Sequence, residues 1–291
     1  MGRSRRREQE QTQTLLLLIT PLLLLPTPTS GADNTNLIYK GCADQKLQDP
    51  SSLKPLLASL VSESAQKPFA TATQNALTAA YQCRGDLSNA DCSACVARIP
   101  AMLPSLCGAD VAAARVQLGG CYLRYEAVGF KQVPATQLLY KVCGSRRLSD
   151  GAGLEARREA AFEMAENGVQ SSGALFYTGS YESLYVLAQC EGDLGNADCG
   201  DCIRSAADQA KAQCGRAISA QTYLHACYVS YSFYPNGVPT AASSSPRAGE
   251  GGHEHTERTV ALAVGGVAAL GFLIACMLFV KSALKKRGGK R

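Results

Sequence analysis

Two apolar stretches mark the ends of this chain, and between them apolar and polar positions alternate with the periods of short strands and helices. Leu15 to Leu25 is apolar apart from Thr20 and Pro21. It follows Arg3, Arg5, Arg6 and Arg7 and precedes the small-residue run Thr29-Ser30-Gly31-Ala32. A basic start, an apolar stretch and a small-residue site predict a signal peptide over 1–32, cleaved after Ala32. The stretch is about half of the roughly 20 residues that a bilayer span needs, so an anchor is not expected there. Val260 to Val280 differs in kind, being 21 residues without a charge. At about 1.5 Å per residue it reaches roughly 30 Å, the thickness of a hydrocarbon core. Lys281, Lys285, Lys286, Arg287, Lys290 and Arg291 follow it and belong on the cytoplasmic side. The expectation is a single-pass type I membrane protein with a span over 260–280 and a basic tail over 281–291. Ala261, Gly265 and Ala269 form a small-residue strip on that span, suited to close helix packing and self-association, and Cys276 is a candidate for acylation.

Between these ends one pattern occurs twice. Asn36 to Cys42 reads as a strand, and Ser52 to Ser64 as an amphipathic helix with Leu53, Leu56, Leu57, Leu60 and Val61 on one face. A Tyr- and Cys-bearing stretch ends at Cys83. The run Gly85 to Asp91 then turns into a second helix through Cys92, Cys95, Val96 and Ile99, with Asp91 as its N-cap and Pro100 and Pro104 blurring its end. Cys121 to Ala127 alternates as a strand. The same signals return at Tyr140 to Cys143, Leu154 to Asn167, Gly192 to Asp198, Cys199 to Cys214 and Cys227 to Phe233. They predict an α+β fold of two tandem disulfide-stapled modules over 33–134 and 135–234, each an antiparallel sheet with two packed helices. A stalk rich in Pro, Gly and Ser follows over 235–259. Val133, Leu138, Leu139 and Tyr140 in the connector are too apolar to be left in water, which predicts two modules packed side by side as one rigid unit.

Cysteine spacing explains how such small cores hold together. Cys42, Cys83, Cys92, Cys95, Cys107 and Cys121 form one set; Cys143, Cys190, Cys199, Cys202, Cys214 and Cys227 form the other, and from the second to the fifth member the offset is a constant 107. Each set has a single C-x2-C, short of a zinc ribbon, and His225 stands opposite Gly119 in the other repeat, so no metal site is expected. A redox pair would leave four cysteines at fixed spacing without a role. Structural disulfides in an oxidising compartment remain, although spacing alone leaves many connectivities open.

Charge and carboxylates narrow the function classes. The surplus of positive charge sits in the terminal segments: between Asp33 and Arg258 there are 19 Lys plus Arg against 22 Asp plus Glu, a net of −3. Nucleic acid is not an expected partner. Asp86 with Asp91, and Asp193 with Asp198, could suggest acid/base catalysis, but they sit in short turns before helices where capping explains them, so neither an enzyme nor a cofactor is expected.

The block Cys-x-Gly-Asp-Leu-x-Asn-Ala-Asp-Cys-x2-Cys, at Cys83 to Cys95 and Cys190 to Cys202, together with Cys121-Tyr122-Leu123-Arg124-Tyr125, resembles the plant cysteine-rich repeat domain of ginkbilobin. Two such domains with a signal peptide, one span and a short tail resemble the plasmodesmata-located proteins. The resemblance implies the bridges Cys42–Cys107, Cys83–Cys92, Cys95–Cys121, Cys143–Cys214, Cys190–Cys199 and Cys202–Cys227. It also implies a location in the cell membrane at plasmodesmata and control of traffic between plant cells, with callose deposition as a means. Other membrane proteins, cell-wall glycans and viral movement proteins are the partners it implies. The eleven residues after Val280 suggest a chain without the kinase that related receptors carry. A carbohydrate-binding defence protein or a kinase-less co-receptor is the alternative. For mannose the resemblance needs an Asn after the first cysteine, where this chain has Ala43 and Gly144; Glu126 matches an acidic position of that site, and Ser232 replaces it in the second repeat.

Overall fold

In the computed structural model residues 34–129, 132–149 and 151–239 are described. The first module runs β1 (Leu37–Cys42), α1 (Leu53–Glu63), β2 (Phe69–Gln74), β3 (Leu77–Cys83), α2 (Asn89–Leu106), β4 (Ala113–Leu118) and β5 (Cys121–Ala127). The second repeats that order with β6 (Leu138–Cys143), α3 (Gly151–Ser172), β7 (Phe176–Tyr181), β8 (Leu184–Cys190), α4 (Asn196–Cys214), β9 (Ser219–Leu224) and β10 (Cys227–Phe233). Each module builds a five-stranded antiparallel sheet, in the orders β1-β4-β5-β3-β2 and β6-β9-β10-β8-β7.

Alternation along the strands decides which face meets the helices. Tyr81 and Cys83 of β3, Val116 and Leu118 of β4, and Leu123 and Tyr125 of β5 join Leu56 and Leu60 of α1 and Val96 and Ile99 of α2 in one core. The second core repeats this with Val186, Val229 and Tyr231 against Ala161, Phe162, Ile203 and Ala206. Three disulfides fasten each helical layer to its sheet. Cys83–Cys92, Cys95–Cys121 and Cys42–Cys107 pin α2 at its start, its second turn and its C-cap; Cys190–Cys199, Cys202–Cys227 and Cys143–Cys214 pin α4 at its start, its second turn and its last residue. These are the pairs that the resemblance implies.

Local signals differ from the sequence reading in three places. The N-cap of α2 is Ser88, whose Oγ accepts from the Asp91 backbone N–H at 3.1 Å and donates to the Asp91 carboxylate at 2.7 Å. Asp91 therefore stands inside the first turn, where its charge complements the helix dipole. Pro100 and Pro104 do not end α2, which runs to Leu106 with disulfides anchoring both of its ends. α3 is longer than the expected Leu154 to Asn167, extending to Ser172.

Among the described residues no helix is long and apolar enough to cross a membrane. The expected signal peptide (1–32), span (260–280) with Ala261, Gly265, Ala269 and Cys276, and tail (281–291) lie outside the described residues, as does most of the stalk.

Candidate functional site

The sheet faces turned away from the helices meet each other. Both modules form one compact unit, and their junction is built from the alternate positions of the same strands: Gln82, Arg115, Gln117, Tyr122 and Arg124 on one side, Gln189, Glu191, Tyr223 and Tyr228 on the other. The contacts are reciprocal, as between halves related by an approximate twofold. Gly192 N donates to Gln82 Oε1 at 2.9 Å, and Gly85 N donates to Gln189 Oε1 at 3.3 Å. Gln189 Nε2 also donates to Cys83 O at 2.9 Å. Tyr39 and Tyr140, equivalent positions of β1 and β6, stack with ring centroids 5.1 Å apart.

This geometry gives the glycine of the repeated block a role. A Cβ built on Gly85 would stand 2.4 Å from the Phe176 ring, and one on Gly192 would stand 2.5 Å from the Phe69 ring, so each glycine is the seat of an aromatic ring from the other module. Gly85→Ala should loosen the junction by about 1 to 3 kcal/mol, an overpacking cost. Gly41→Ala, where a Cβ meets nothing within 4 Å, should be near neutral. Thermal unfolding of both variants checks the pair.

A buried charge cluster breaks the symmetry. Glu191, only 5% exposed, accepts from Tyr122 and pairs with Arg124 at 3.0 Å, all across the junction. Arg115 stacks on the Tyr122 ring at 4.0 Å and donates to His225 O at 2.8 Å. Burial alone would raise the Glu191 carboxyl; Arg124, the Tyr122 hydroxyl and Arg115 outweigh it and hold the pKa below the ordinary value of 4.5. Burial first, then Arg115 and Arg124, pushes His225 below its ordinary 6.5. Burial raises the Tyr122 and Tyr228 hydroxyls well above 10. In both acid-sensitive groups the unfolded chain binds the proton more readily. Their stabilisation is complete above about pH 6.5, declines below it as unfolded His225 charges, and declines further below about pH 4.5 as Glu191 protonates. The melting temperature of the ectodomain should therefore fall on acidification from about pH 7; a rise would contradict the assignment.

At the rim of the junction opens a groove of about 300 Å³, whose lining includes Lys40, Ala43, Arg115, Arg124, Glu126 and His225. The structure thus brings Glu126 and Ala43 together with two guanidinium groups, and Gln132 Nε2 donates to Glu126 at 2.9 Å. The paired carboxylates do not converge on a cleft: Asp86 pairs with Arg84 at 2.6 Å, and Asp91 accepts from the Ser88 hydroxyl in the first turn of α2. The sequence reading missed Gln82, Gln189 and Glu191. A signal for the first two existed in the 107-residue offset that relates both the glutamines and the Phe69/Phe176 pair.

Two disulfide-stapled sheets locked face to face, with a polar groove at their seam, define a tandem cysteine-rich α+β unit. The model of the "Salt stress response/antifungal" family matches residues 41–128 and 142–234. The chain belongs to that family and, within it, to the plasmodesmata-located proteins. It is 49% identical to plasmodesmata-located protein 1 of Arabidopsis thaliana over 89% of this chain and 91% of that one, and 44% identical to plasmodesmata-located protein 2 of the same plant over 87% and 88%. Among solved structures, the tandem DUF26 ectodomain of the Arabidopsis thaliana cysteine-rich receptor-like protein PDLP8 is similar, with a TM-score of 0.62 at 30% identity over 68% of this chain and 98% of that one. The corresponding PDLP5 ectodomain gives 0.57 at 28% identity over 68% and 99%.

Proposed function

We propose that this protein is a membrane-tethered, receptor-like adaptor of the plasmodesmal cell membrane that regulates molecular traffic between plant cells. Membership of the plasmodesmata-located proteins carries this reading. The apolar run at Val260 to Val280 supports a single type I span that places the locked modules outside the cell. In this reading callose at the channel neck is the effector, and the modules are the recognition surface. Self-association through Ala261, Gly265 and Ala269 belongs to the same proposal.

The groove at the module junction favours a second reading, carbohydrate binding. Arg115, Arg124, Glu126 and His225 offer the convergent polar groups that a sugar needs, while Ala43 supplies no amide to help them.

Expression of the tagged full chain in leaf tissue tests the first reading. It predicts punctate signal at cell junctions, changed spread of a freely diffusing fluorescent protein, and altered callose staining at the same puncta. Uniform surface signal with unchanged spread contradicts it and leaves the carbohydrate reading standing.

A further inference from the structure

The outer face of the first module carries a second cavity, remote from the junction. About 560 Å³ lie between α1 and α2, walled by Leu53, Leu57, Val61, Leu103 and Pro104, with Tyr125 of β5 as the floor. Sites for small organic ligands are of this order, roughly 300–1,000 Å³, and mostly apolar.

The second module is an internal control. Aligned on the first cysteines, α3 places Arg158, Glu159 and Phe162 where α1 has Leu57, Ala58 and Val61; aligned on the helical cysteines, α4 places Arg204 and Lys211 where α2 has Ala97 and Pro104. Arg158 is buried and donates to Tyr231 Oη at 3.3 Å, while Phe162 packs edge-on against the Tyr231 ring at 5.7 Å. Glu159 pairs with Lys211 at 2.9 Å, and Glu166 pairs with Arg204, both from helix to helix. The second module therefore closes this seam with its own side chains. In the first module each of these positions is smaller or apolar, and Tyr125, the counterpart of Tyr231, faces the cavity.

Two features select the occupant. The space is bounded by both helices and reaches Tyr125 of the sheet, and its lining is mostly apolar, which suits a chain of methylenes. Its lining has no carboxylate, and Lys54 at the rim makes no ion pair among the described residues. We propose that this cavity binds a single-chain amphiphile, with the aliphatic tail between α1 and α2 and an anionic head group at the Lys54 amine.

Dodecanoate, titrated calorimetrically below its micelle concentration into the secreted ectodomain, is the probe; relatives' ectodomains have been crystallised as such units. Saturable binding of one dodecanoate per chain is expected. Lys54→Glu should weaken dodecanoate at least about tenfold while sparing dodecanol, because it reverses the charge at the head group and leaves the tail site intact. Val61→Phe with Ala97→Arg, which copies the filled seam of the second module, should abolish binding of both while the melting temperature is kept. If that double variant is not secreted, the Lys54→Glu comparison decides alone. Absence of saturable binding to the wild-type ectodomain, or equal binding by the filled or charge-reversed variant, overturns the proposal. So does a wild-type dimer that ignores dodecanoate and becomes monomeric in the filled variant, since the cavity would then be a face between copies of this chain.

Discussion

Glu191→Gln should destabilise the ectodomain by about 3 to 5 kcal/mol, the cost of removing one partner from a buried ion pair. The substitution keeps volume and shape, so what it changes is charge: Arg124, paired at 3.0 Å, and Arg115, close by on the Tyr122 ring, lose a counter-ion that is itself buried at the junction. The double substitution Glu191→Leu with Arg124→Met should recover most of the loss, because an apolar pair of similar volume leaves no buried charge uncompensated. Chemical denaturation of the three proteins at neutral pH measures this. A single variant as stable as the wild type would mean that the junction is open to solvent.

The second large effect is expected at the long bridges. Cys42–Cys107 and Cys143–Cys214 close 65 and 71 residues of sequence, and each fastens an edge strand to the far end of a helix. The chain-entropy estimate for loops of this size is on the order of 4 kcal/mol. Cys42→Ser or Cys143→Ser should hold the protein in the secretory pathway, whereas Cys276→Ser, outside both cysteine sets, should not. Surface labelling of cells expressing each variant provides the readout. Normal surface delivery of Cys42→Ser would show that the remaining bridges suffice.

What was legible in the chain follows from how each element is solvated. β5 and β10 were read to their ends, because one face packs on helices and the other carries polar side chains, which writes a period of two into the sequence. β3 was left as an unassigned stretch because Ala79, Ala80, Tyr81, Gln82 and Cys83 are all buried, with helices on one face and the other module on the opposite one. A strand covered on both sides loses its alternation. The helical hairpin of each module was legible from its leucines and cysteines, but the cap of α2 was misplaced by three residues, since Ser88 and Asp91 are both good capping residue types and bond to each other.

The side-by-side packing was anticipated for a reason the structure changes. Of the apolar connector residues Val133 stays 38% exposed, and Tyr140, itself 40% exposed, takes part only through its stack on Tyr39. Glutamine amides, a buried ion pair and stacked tyrosines hold the modules together, contributed by strands far apart in sequence. Polar residues with such partners have no periodic signature. Glu191 stands where the first repeat has Arg84, and only the fold reveals that it meets Arg124.

The central claim is that the two modules act as one body. Small-angle scattering of the secreted ectodomain tests it most directly. A single compact particle, described by one fixed arrangement of the modules at neutral pH, is the predicted result; scattering that requires a broad range of inter-module distances would contradict it.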